Sequence, residues 1–226
     1  MAAETHGLVR KIMNRKFLER WRLGIGLRAA SFHTVRTIIE DKNASHMERQ
    51  VAAETLLSKL WLSGTGYTAC LLLQNLDLLD DQERGRLYTW ILHFRNRFCG
   101  RELVTAVQCL PFMRETPKEG IHVQTALLDR LLALLDGLIP EDRIDPDTTW
   151  KSVTVLLSVL EKTCTDQIQR VALGRTLILR DPTNDAIQET VCRKCPELKP
   201  EFGALLRRLG QGDLANMIVG VPQAEP

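Results

Sequence analysis

Aromatic residues are scarce in this chain, only 5% of 226 positions with two tyrosines among them. That leaves few rings for base stacking, the usual means by which single-stranded nucleic acid is held. Long apolar runs are missing too. The longest, Tyr67 to Leu73, falls far short of the roughly 18 residues that cross a bilayer. No apolar segment near the start is followed by a small-residue cleavage site, so the chain reads as neither transmembrane nor exported by a standard signal. No low-complexity tract occurs, and 44% hydrophobic with 26% charged residues is a globular balance. Six cysteines without a secretory signal point to reduced thiols and an intracellular setting, cytoplasmic or nuclear. The Asn43-Ala44-Ser45 sequon is then silent.

Catalytic and cofactor signatures are likewise wanting. No Gly-x-Ser-x-Gly elbow is present to seat a nucleophile. The glycine pairs Gly24-Ile25-Gly26 and Gly64-Thr65-Gly66 fit neither GxxxxGK[ST] nor GxGxxG, and both read as helix stops. Cys192-Arg193-Lys194-Cys195 has chelate spacing, but zinc needs four ligands and no second pair exists. A redox role wants a βαβ context, which the pattern lacks. His6, His33, His46, His93 and His122 are dispersed, and Asp80-Asp81 and Glu141-Asp142 stand where helix N-termini favour negative charge. The reading is therefore of a non-enzyme, with no catalytic residue, no metal, no cofactor and no small-molecule substrate.

What is present is helical periodicity from end to end. Leucine is abundant and β-branched runs are few, a balance that favours helix over sheet. Apolar positions recur at helical spacing between short Gly, Pro or Asp breaks. The expectation is an all-α fold, a compact irregular domain of about ten helices; a degenerate helical repeat is the alternative, although no residue recurs in register. The first helix is expected over 7–23, stopping at Gly24. Ser31 is expected to cap the second, and the third spans 45–62. The nearly all-apolar stretch 67–79 is the expected central helix. A helix after Asp80-Asp81 is expected to end at Gly100. Two LxxLL patterns, at 128–132 and 131–135, are explained by core packing in a leucine-rich helix. The chain divides into an arm, 1–30, a helical body, 31–220, with a hinge expected at 114–120, and a loose tail, 221–226.

Charge is distributed unevenly. Eight of the 30 basic residues but one of the 28 acidic ones fall between Val9 and Arg36, leaving 22 against 27 elsewhere. A basic amphipathic arm thus precedes an acidic body, an asymmetry that favours an anionic partner. Val9, Ile12, Met13, Phe17, Trp21 and Ile25 share one side of the predicted arm helix. Arg10, Lys11, Arg15, Lys16, Arg20 and Arg22, with Arg86 and Arg97 farther along, are the candidate partner- or phosphate-binding residues. Acting by binding, the chain is expected to be an adaptor or regulatory factor that engages another protein through a helical surface. The alternatives are a nucleic-acid-associated protein whose arm contacts phosphates and a peripheral membrane protein held on an anionic surface by the same helix.

Overall fold

A computed structural model describes residues 19–20, 22–110, 119–138, 148–162 and 167–220. Every regular element among them is helical, with twelve α-helices and several short 3-10 turns. The chain divides between His93 and Phe94 into two compact units. Most of the expected hinge at 114–120 lies outside the described residues, as does the expected tail.

The first unit begins with helical residues 19–20 and α1 (22–29). It continues with α2 (Phe32–Glu40), α3 (His46–Ser63), α4 (Gly66–Gln74) and α5 (Asp81–Phe94). Local chemistry sets these starts. Ser31 caps α2 by accepting from the Thr34 amide at 3.2 Å. Ser45 and Glu48 form a reciprocal capping box on α3, and Thr65 caps α4. Asp80 and Glu83 close an equivalent box on α5, at 3.0 and 2.8 Å. Helix α4 buries Ala69, Cys70, Leu71, Leu72 and Leu73, the pattern of a helix surrounded by others.

Three boundaries depart from expectation. The helix does not stop at Gly24: residues 22–29 are continuously helical, and neither Gly24 nor Gly26 takes a positive φ. Leu27, 6% exposed, anchors this turn in the core, and that burial outweighs the roughly 1 kcal/mol a glycine costs in a helix. Conversely, the central helix ends early, at Gln74, and Leu76–Leu78 form a 3-10 turn. Asn75 is the cause. Its amide donates to the Leu71 carbonyl at 2.9 Å, and its oxygen accepts from Arg49, whose Nε donates to the Ile39 carbonyl. The side chain thereby exchanges helix continuation for a tie between α2, α3 and α4. Helix α5 ends at Phe94 rather than Gly100, and a 3-10 turn, Arg95–Arg97, follows.

The second unit comprises α6 (Gly100–Cys109), α7 (Glu119–Leu135), α8 (Val153–Lys162), α9 (Gln167–Arg180), α10 (Asp185–Lys194), α11 (Lys199–Arg208) and α12 (Gly212–Val219). Helix α8 packs against α6, α9 and α10, while α11 and α12 pair as a hairpin. Gly100 opens α6 beneath Trp150, and a Cβ there would overlap the indole ring. Close approach is why glycine stands at that position. Leu128, Leu131, Leu132 and Leu134 are buried, so both LxxLL patterns belong to the core. Ion pairs brace the outside: Glu161 of α8 with Arg193 and Lys194 of α10, and Arg175 of α9 bidentate with Glu201 of α11 at 2.8–3.1 Å.

Candidate functional site: a mixed-charge cleft and the stripe beside it

Of the predicted site residues, Arg10, Lys11, Arg15 and Lys16 lie outside the described residues. Arg20 and Arg86 come together in the first unit. They line a cleft of about 330 Å³ with Gly24, Ile25 and Arg28 of the first helical segment, Val51, Glu54, Thr55 and Ser58 of α3, and Glu83 of α5. Arg22 is exposed on α1 and does not line it. Arg97 belongs to the second unit, where its guanidinium sits 4.4 Å from the centroid of the Phe94 ring.

The arrangement follows from helical spacing. Arg20, Gly24 and Arg28 are four residues apart and share one face, and the missing side chain at Gly24 opens space between the two arginines. On α3, Val51, Thr55 and Ser58 face the same space. The hydroxyls there are spent on the helix itself: Thr55 Oγ1 donates to the Val51 carbonyl at 2.7 Å and Ser58 Oγ to that of Glu54 at 3.0 Å.

The charges differ in how far they are satisfied. Arg20 is ion-paired with Glu54. Arg28 and Arg86 make no hydrogen bond or ion pair among the described residues. Burial pushes the Glu83 carboxyl above the usual carboxylate range, and the negative charges of Glu54 and Asp80 add to that, while the Asp80 amide and Arg20 draw it back. The cleft therefore carries three guanidiniums and two carboxylates, one of the latter reluctant to ionise.

One turn beyond Ser58 the same face of α3 becomes apolar. Leu62 is 85% exposed and Trp61 40%, and Glu54, Ser58, Trp61 and Leu62 stand at i, i+4, i+7 and i+8. Leu62 is the most exposed large apolar side chain among the described residues, and burying it against a partner would gain about 1.5–3 kcal/mol.

No protein-family model, curated protein or solved structure matches this chain. Its chemistry has to be read from its own residues.

The CxxC pair carries no activated thiol. Cys195 is buried, its Sγ lies 3.4 Å from the Arg170 carbonyl, and burial raises its pKa to about 11. Burial also raises Cys192, against the opposing charge of Lys199. A reactive or metal-binding cysteine needs the reverse shift. Among the described residues no group of three His, Cys, Asp or Glu side chains is placed to hold a metal ion, and no helix is long and apolar enough to cross a membrane.

Sequence reasoning found Arg20 and Arg86 but missed Arg28, Glu54 and Glu83. Arg28 had a usable signal, its eight-residue spacing from Arg20. Ending the predicted helix at Gly24 broke that register.

Proposed function

We propose that this chain is a non-catalytic adaptor or regulatory factor that engages another protein through the helical surface of its first unit. The observation that carries the reading is the α3 stripe, where exposed Leu62 and Trp61 adjoin a cleft rimmed by arginines. Tryptophan and arginine around a small apolar centre are the composition of residues that dominate protein–protein affinity. An intracellular setting accords with it: Cys70, Cys99, Cys109, Cys192 and Cys195 are free thiols.

Nucleic-acid attachment would work mainly through cationic charge, and membrane attachment through charge together with apolar insertion. Leu62→Asp tests the apolar contact while leaving every arginine in place, and nuclease, salt and vesicle controls separate the proposal from those two alternatives. We expect a defined set of proteins to co-purify with the wild-type chain, survive nuclease and high salt, and be lost from Leu62→Asp. Loss of all partners on nuclease treatment, with nucleic acid in the low-salt sample, would overturn the reading in favour of phosphate contact. Retention on anionic vesicles in place of any protein would overturn it in favour of membrane binding.

A further inference from the structure

We infer that the cleft between α1, α3 and α5 is the receptor for an acidic side chain of the partner, held between Arg28 and Arg86 while a neighbouring apolar residue of the same partner segment covers Leu62. This inference rests on the protein-binding reading and names the chemistry the partner must present.

Arg28 and Arg86, which line one cleft and have no partner among the described residues, call for an anion, since the charge-assisted Arg–carboxylate pair is among the stronger polar contacts available to a protein. The rest of the lining decides which anion. Glu54 and Glu83 stand on the same walls, so a polynucleotide, with a phosphate at every residue, meets repulsion as well as attraction. A free phosphate would find donors in the guanidiniums, but its greater negative charge faces Glu54 and Glu83 on the same walls, and the Thr55 and Ser58 hydroxyls already donate to main-chain carbonyls. Ile25, 50% exposed, adds one apolar edge. One carboxylate on a mostly apolar segment satisfies all of these features.

The separation can be read from α3. From Glu54 beside the cleft to Leu62 is eight residues, or about 12 Å of helix. A partner helix covers the same about 12 Å in about eight residues, so its acid stands about eight positions from its apolar contact.

The test uses the full chain and an array of acetylated, amidated peptides in one helical host. Each carries a leucine and, at offsets from three to eleven residues, either glutamate or glutamine. Glutamate peptides should bind at least tenfold more tightly than their glutamine counterparts at an offset near eight. The double variant Arg28→Gln with Arg86→Gln should abolish that difference, while Arg22→Gln, on the same helix outside the cleft, leaves it unchanged. Glu83→Gln, which preserves the capping box, should strengthen the glutamate peptides severalfold. Circular dichroism melts of each variant confirm that the fold is intact.

The inference falls if no offset separates glutamate from glutamine, or if Arg22→Gln acts as strongly as the double variant. It also falls if a single-stranded RNA of similar length binds more tightly and is lost from the same double variant, which would make the cleft a phosphate site. Failure of the array while Leu62→Asp still removes the co-purifying proteins sinks the cleft inference alone. Indifference of those proteins to Leu62→Asp sinks the functional reading itself.

Discussion

Gly100→Ala adds a single methyl group and is expected to damage this fold. The added methyl would enter the space filled by the Trp150 indole, which is 2% exposed and has the Lys151 ammonium 4.8 Å from its ring centroid. The ring therefore has little room to withdraw. Overpacking of this kind costs about 1–3 kcal/mol. Alanine is the better helix former by up to about 1 kcal/mol, but Gly100 is the first residue of α6 and collects only part of that gain. The balance is a loss of about 1–2 kcal/mol, or roughly 3–8 °C in melting temperature for a unit of this size. Thermal and urea melts followed by tryptophan fluorescence and far-ultraviolet circular dichroism would measure it. Trp150→Phe supplies a smaller ring, so combining it with Gly100→Ala should cost less than the two changes summed, with a coupling of about 1 kcal/mol. If Gly100→Ala is as stable as the wild type, or if the double variant is strictly additive, the close approach of α6 to Trp150 is wrong.

Other positions give outcomes of different sign and origin. Gly26→Ala meets open space in a helical turn and should raise stability by about 0.5–1 kcal/mol, seen as a higher urea midpoint at unchanged slope. The hydrogen bond from Arg193 holds the Glu161 carboxyl below the usual value of 4.5, so its stabilisation is present above that pH and lost as the pH falls through the folded pKa. Glu161→Gln should flatten this part of the acid limb in melts taken from pH 5 downward. At Cys195, a pKa near 11 instead of 9 leaves about a hundredfold less thiolate at pH 8. Ellman's reagent should therefore label Cys195 far more slowly in the folded protein than in urea.

The class of fold was legible because it rests on local physics. Ser45 and Glu48 stand three apart and form the box that spacing implies, and Ser31 caps α2 as its place before an apolar-periodic run requires. The apolar run from Tyr67 foretold a surrounded helix, and α4 is one. Its early end was not legible, since Asn75 stops the helix by bonding to Arg49, a residue 26 positions away. Glycine misled in a different way. The pair at Gly64 and Gly66 does separate two helices, whereas the pair at Gly24 and Gly26 lies within one; the capping hydroxyl of Thr65, which Ile25 lacks, and the burial of Leu27 distinguish them. The cleft was half visible for the same reason. Its arginines stand out as charge, but their convergence on Glu83 depends on α1, α3 and α5 meeting, which no periodicity encodes.

The central claim is that the α3 stripe meets a protein. A photo-crosslinking amino acid placed at position 62, with exposed position 189 of α10 as the control, tests it directly in cells. The account predicts a discrete protein adduct from position 62 that resists nuclease, is absent from position 189, and fades when Arg28 and Arg86 are both changed to glutamine. Adducts equal at the two positions, or an adduct at position 62 that is nucleic acid or lipid, would contradict it.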